Sequence, residues 1–147
     1  MLAYATKAAT AWLLGFAPFL EIYVAIPAAV GMGLDPVSAF FWPTFGNLTP
    51  LVAVPYCSRW LRRQPRVWGW INRMVDEKWE ERCNRWGKPF LVVAVIWLGV
   101  WATAATAVTV KIRAAVVVFW STLTVLVLAV ITLFASLGVR DWLLGLA

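Results

Sequence analysis

Uncharged apolar stretches alternate with short polar breaks along most of the chain, and their lengths decide what each can be. Residues 36–58 and 114–139 carry no charge and exceed the roughly 20 helical residues needed to cross a ~30 Å hydrocarbon layer. Both are predicted to be spanning helices. Residues 90–110 are also uncharged, but Gly99 and the run Thr103, Thr106 and Thr109 make this segment a polar, breakable helix. Residues 8–34 differ again: Glu21 divides them into two uncharged stretches of 13 residues, with Pro18 and Pro27 on either side.

Proline inside a helix removes a backbone hydrogen bond and clashes with the preceding turn. In lipid the freed carbonyls need partners, so broken helices persist only where protein or a water-filled cavity surrounds them. A 13-residue arm reaches about 20 Å, two-thirds of the way through the hydrocarbon. These lengths predict a re-entrant hairpin at 8–34; residues 90–110 are long enough to span, but Gly99-Val100-Trp101 marks a tip for a second hairpin there, with plain helix packing as the alternative.

Between the halves, Val67, Ile71, Val75, Trp79, Cys83 and Trp86 recur every three or four residues, with Trp70 and Met74 beside them. Arg73, Asp76, Glu77, Lys78, Glu81, Arg82 and Arg85 take the other face. The pattern predicts an amphipathic helix over 66–86, its Trp-rich side suited to the headgroup boundary; packing on a partner protein is the alternative. The halves also echo each other. Pro18-Phe19-Leu20 recurs as Pro89-Phe90-Leu91, and Phe41-Trp42 with Thr44 recurs as Phe119-Trp120 with Thr122.

The expected architecture is an all-α integral membrane protein, with two re-entrant helical hairpins and two spanning helices in an inverted-repeat arrangement. Residues 1–57 hold the first hairpin and span, 58–89 the basic amphipathic connector, and 90–147 the second hairpin and span. The tips of the two hairpins, with Glu21, Asn47 and Gly99 to Trp101, are expected to meet near the bilayer midplane.

Composition agrees: 63% of the 147 residues are hydrophobic, against about 45–50% in a soluble domain, and the mean hydropathy is +0.78. Nine of the 13 Lys and Arg fall between Arg59 and Lys88, which puts that loop in the cytoplasm. The net charge of +6 then fits anionic headgroups rather than nucleic acid. With Lys7 the only early base and Glu21 after the apolar run, no cleaved signal peptide is expected. Cys57 and Cys83 read as ordinary thiols.

The chain contains no His, which removes the commonest general base and transition-metal ligand. It has no Gly-rich phosphate loop, no Gly-x-Ser-x-Gly, and no useful pair of acids within an apolar segment. No catalytic residue, metal or cofactor is expected, and no enzymatic activity.

Glu21 is the most informative residue, because a charge at the centre of a membrane helix costs on the order of 3 kcal/mol. It reads as a proton-coupled carboxylate or a partner for a cationic group, against a hydrated hairpin tip near one interface. Asn47 and Pro50 put a side-chain amide and a missing backbone donor within one turn of a spanning helix, either as a substrate contact or as a bond between helices. Lys111 and Arg113 are candidates for lipid phosphate, or interface anchors that snorkel.

The first half resembles the small multidrug export family of prokaryotic membrane proteins. The resemblance rests on Pro18, Glu21-Ile22-Tyr23-Val24-Ala25-Ile26-Pro27, the turn from Gly31 to Pro36, Gly46-Asn47 and Pro50. It covers about the first 57 residues by motif and the rest by order of segments. Tyr23 stands where the family usually has Arg, and the second signature survives only as Gly99-Val100-Trp101. The resemblance implies a fold akin to the DedA/VTT membrane proteins, some of which move lipid carriers or scramble lipids. It also implies a prokaryotic inner (plasma) membrane location.

The function expected is membrane transport, as a small exporter or a translocator of lipid or lipid phosphate, with Glu21, Pro27, Asn47, Pro50, Gly99 and Trp101 at a polar site. Membrane lipids are the expected partners, and a homo-oligomer is expected because so few helices scarcely enclose a pathway. The alternative is a non-transporting scaffold that uses the amphipathic helix.

Two hairpins place both chain ends outside, and four full spans place both in the cytoplasm; eleven cations face two across the membrane either way. Reporter fusions at residues 2 and 147 should therefore read external at both ends. Cytoplasmic readout at both would eliminate the hairpins.

Overall fold

The computed structural model describes residues 2–73, 81–82, 85–86, 88–110 and 112–145. These residues form helices and turns, with no strand among them. The helices are α1 (Leu2–Phe16), α2 (Glu21–Gly31), α3 (Pro36–Leu61), α4 (Pro65–Asn72), α5 (Lys88–Thr109) and α6 (Ala114–Leu143). Three are long and apolar enough to cross a membrane: Pro36–Leu61, Pro89–Thr109 and Ala114–Leu143. With 15 and 11 residues, α1 and α2 rise only about 22 and 16 Å. The chain is an all-helical, multi-pass membrane protein.

It folds as two compact units, Met1–Asn47 with Val125–Ala147, and Leu48–Thr124. The divisions fall inside α3 and α6, so each long helix contributes to both units.

In the first unit α1 and α2 pack together across a turn at residues 17–20. Phe19 (φ 73°) and Glu21 (φ 49°) are left-handed there, an uncommon conformation for residues with a side chain. The core is Ala11, Ala29, Val30, Leu34 and Ala39, flanked by Met32, Trp42, Leu133 and Leu137. Small residues at its centre let backbones approach closely. The closest approach joins α1 to α3. A Cβ on Gly15 would lie 2.1 Å from the Pro43 carbonyl oxygen, and one on Gly46 would lie 2.1 Å from that of Trp12.

The link from α2 to α3 follows from local sequence. Gly33 takes φ 75°, its amide donates to Val30 O at 3.0 Å, and the Leu34 amide donates to Ala29 O at 3.2 Å. This is a Schellman closure, with Leu34 packed beside Ala29 as that motif favours. Asp35 then caps α3, its Oδ1 accepting the Ser38 amide at 3.0 Å, with Pro36 as the first helical residue. Hydrogen bonds from Ser38 hold the Asp35 carboxyl below its usual range. Beyond that cap, α3 runs 26 residues through Pro43, Pro50 and Pro55.

In the second unit α4 packs on α5. Ile71 is buried, and Trp70 meets Trp101 edge to face at 5.2 Å. The Arg62 guanidinium lies 4.5 Å over the Trp68 ring and donates to Val108 O at 3.4 Å. Helix α5 is broken at Gly99, whose φ 79° and ψ 176° fall in a region open essentially to glycine alone.

Several expectations are revised. The uncharged limits 58 and 139 underestimate the long helices, which reach Leu61 and Leu143 because flanking Arg side chains carry their charge away from the backbone. The helix expected over 66–86 closes at Asn72, where the Arg73 amide is shared between Gly69 O and Trp70 O, the tightened geometry of a helix end. Residues 81–82 and 85–86 are helical, while Met74, Val75, Trp79 and Cys83 lie outside the described residues. Trp70, expected to face lipid, is 39% exposed and also meets Trp101. The two sequence echoes also part company. Phe41-Trp42 and Phe119-Trp120 are the sixth and seventh residues of α3 and α6, but Pro18-Phe19-Leu20 forms a turn and Pro89-Phe90-Leu91 lies in the first turns of a helix.

Alanine at Gly46 must displace the α1 backbone, whereas Gly138 in α6 has nothing within 4 Å. Gly46→Ala should cost about 2 kcal/mol by overpacking, and Gly138→Ala should gain up to about 1 kcal/mol from helix propensity. Thermal unfolding of both variants in detergent reads the difference.

Candidate functional site

The turn before α2 carries the first candidate. Glu21 opens that helix and is only 8% exposed. Leu20, the residue before it, gives no side-chain cap, and a helix N-terminus favours a negative charge. The left-handed Phe19 turns its own ring outward, 85% exposed, while Glu21 folds inward.

Asn47 sits where α3 touches α1. It is 1% exposed, and its Nδ2 donates to the Gly15 carbonyl oxygen at 3.1 Å. That carbonyl belongs to the last turn of α1, where intrahelical donors run out. In lipid no water replaces them. A carbonyl partner accepts only, so the amide must present its nitrogen there, and Asn47 is thus a bond between helices. Its Oδ1 is buried without a partner among the described residues, as are Trp12 Nε1 and Thr44 Oγ1 nearby in the fold. The crossing therefore holds one unused donor, one hydroxyl and one unused acceptor.

Pro27, on the exposed side of α2, lines a cavity of this unit. Its volume is about 680 Å³, and Val30, Gly31, Ala135, Val139 and Leu143 make most of its wall. Arg140 also borders it, hydrogen-bonded through Nε and Nη2 to Asp141 Oδ1 at 2.9 and 2.7 Å.

The remaining candidates belong to the second unit. Pro50 and Gly99 are buried and Trp101 half-buried. After the break, every residue from 102 to 107 is buried, an all-round burial that marks an interior helix. Within it Thr103 and Thr106, and Ser121 on α6, have hydroxyls with no partner among the described residues. Thr109 and Thr124 on the same two helices instead donate to the carbonyls four residues back, Ala105 and Trp120. Arg113 is exposed and its carbonyl accepts the amides of Val116 and Val117; Lys111 lies outside the described residues.

The structure therefore groups Glu21, Pro27 and Asn47 in one unit and Pro50, Gly99 and Trp101 in the other. Sequence reading missed the Trp12, Thr44 and Ser121 atoms, since nothing in a residue's identity says whether its hydroxyl bonds backward along the helix. Gly15 could have been found: paired with Gly46, it is the small residue that close helix contact requires.

Comparison with known proteins adds one match. A family model described as "Putative small multi-drug export protein" matches residues 21–131, beginning at Glu21 and including every candidate residue named above except those on α1 and the last two turns of α6. No curated protein and no solved structure matches the chain.

The clasp on Gly15 needs a donor. Asn47→Ala should lose about 1 kcal/mol. Asn47→Asp supplies a donor only when protonated, and burial disfavours its ionised form. Its extra stability is then present at low pH and is lost as pH rises and the carboxyl ionises, between about pH 4 and 8. Unfolding temperatures of the parent and both variants across that range show whether Asp alone loses stability with rising pH.

Proposed function

We propose a transport function from one premise: the chain belongs to the small multidrug export family, whose model covers residues 21–131. It is a transporter of lipophilic or lipid-phosphate substrates, a DedA-like carrier with no enzymatic activity of its own. It works as a homo-oligomer in the inner membrane of a prokaryote, with residues 59–88 in the cytoplasm. The α1–α2 pair and the two halves of α5 are its re-entrant hairpins, and the two hairpins with their spans form an inverted repeat.

The short arms of α1 and α2 support the first hairpin, since neither covers ~30 Å alone. The Gly99 break supports the second. The repeat is better aligned on structure than on the Pro-Phe-Leu echo. The long helix begins 16 residues after Leu20 in the first half and 15 after Gly99 in the second.

The observation that carries the functional reading is the burial of Glu21. A carboxylate 8% exposed in a lipid-embedded molecule costs several kcal/mol unless it is hydrated, paired or protonated. A scaffold has no use for that cost, whereas a carrier gains a group that changes charge during its cycle. The unpartnered Asn47 Oδ1 and Thr44 Oγ1 supply polar atoms in the same unit for a substrate or water. A scaffold acting through its connector is the rival reading.

In proteoliposomes, Glu21→Gln should fold and assemble like the parent while transport falls to background, because the amide keeps size and hydrogen bonding but not the charge. A variant that transports like the parent from pH 5 to 8 would remove the coupling role. A parent protein inactive towards lipophilic cations and lipid phosphates alike would favour the scaffold.

A further inference from the structure

The 680 Å³ cavity of the first unit has an apolar body and a charged end. Its walls run along α6 from Thr132 to Leu143, about 17 Å of helix, close to the ~15 Å depth of one leaflet. The size falls within the 300–1,000 Å³ typical of small-molecule sites. At one end stands Arg140 with Asp141 bonded to it. Gly33, also on the wall, has the Lys7 ammonium 3.8 Å from where its Cβ would be.

The depth of these charges is set by α6. Its uncharged run of 26 residues from 114 to 139 rises about 39 Å, which spans the hydrocarbon and brings Arg113 and Arg140 to opposite headgroup layers. The cavity then descends from the headgroup level into the acyl region of one leaflet. Arg140 borders the cavity with Asp141 bonded to it, and Lys7 lies beside Gly33 on its wall.

We propose that this cavity is a binding site for a single zwitterionic aminophospholipid, with one acyl chain between α2 and α6 and its headgroup at Arg140 and Asp141. The guanidinium takes the phosphate, since Arg recognises it through paired N–H donors. Asp141 directs only one oxygen, Oδ1, at Arg140, leaving Oδ2 to accept from a primary ammonium. Lys7 adds a second cation on the phosphate side. A purely anionic headgroup meets the repulsion of Asp141, and a choline headgroup has no N–H to donate.

Lys7, Arg140 and Asp141 all lie outside the family-matched segment, 21–131. The proposal extends the transport reading by giving the cavity beside Pro27 an occupant. Its test reads binding alone, so the two readings fail separately.

The experiment is native mass spectrometry of the full-length protein, with thermal unfolding, after addition of phosphatidylethanolamine, phosphatidylcholine or phosphatidylglycerol with identical chains. Phosphatidylethanolamine should bind tightest and raise the unfolding temperature most. Arg140→Gln should weaken its binding roughly tenfold, the loss of one charge-assisted contact. Asp141→Asn should move the preference toward phosphatidylglycerol. Ala135→Phe, which fills the apolar body and leaves both charges, should weaken all three lipids alike. Equal binding of the three lipids, or an Asp141→Asn variant with the parent's preference, would overturn the proposal. So would an oligomer that excludes lipid and falls apart with Ala135→Phe, since a second copy would then occupy the groove.

Discussion

The contact of α1 with α3 is the constraint on which the first unit rests. Gly15 and Gly46 bring the two backbones so close that a single methyl on either would strike a carbonyl oxygen. At that distance Asn47 reaches the Gly15 carbonyl, which no water in the bilayer would satisfy. Apolar burial alone gives little between helices whose solvent is itself apolar, so close packing and such hydrogen bonds hold them together. The short helix α1 stays placed because α3 completes its unfinished end, and its turn can then present Glu21 inward.

The same rule of satisfied backbone explains why so many prolines are tolerated. Pro43 and Pro50 each free a carbonyl one turn back, at Ala39 and Gly46. Both prolines are buried, as are Ala39 and Gly46, so the freed oxygens lie within protein and not against lipid. Polar atoms with no use in the fold then stand out against a background of economy. Thr109, Thr124 and Ser136 donate back along their own helices, whereas Thr44, Thr103, Thr106 and Ser121 do not. Hydroxyls held in that state in a low-dielectric setting cost free energy, which is why they mark where water or a ligand belongs.

The exposed surface has its own logic. Val127, Val130, Ile131 and Phe134 on α6 are more than two-fifths exposed, as they should be where the solvent is lipid. The core is instead built mostly from alanine and valine, with a few larger side chains such as Ile22, Ile26 and Leu51. The molecule is inside out only in its size distribution: small residues sit between helices and large ones face the hydrocarbon. A cavity bordered by such a surface offers an acyl chain apolar walls, and the proposed lipid would be selected at its charged rim.

Sequence by itself determined the membrane class and the two longest spanning helices, because both depend on charge-free length; the Gly33 closure and the Asp35 cap before Pro36 are equally local, but emerged only with the structure. It also singled out Glu21, Asn47 and Gly99, each a residue whose cost in lipid is legible from its type. It could not say which role Asn47 plays, since an amide bonded to a carbonyl and one facing a substrate read the same. It also aligned two Pro-Phe-Leu runs that fold differently, because composition this biased repeats short strings without repeating their environment. Only tertiary structure joined Lys7 to Gly33 and Arg140 to the cavity beside Pro27, since side chains far apart in sequence meet only once the helices have packed.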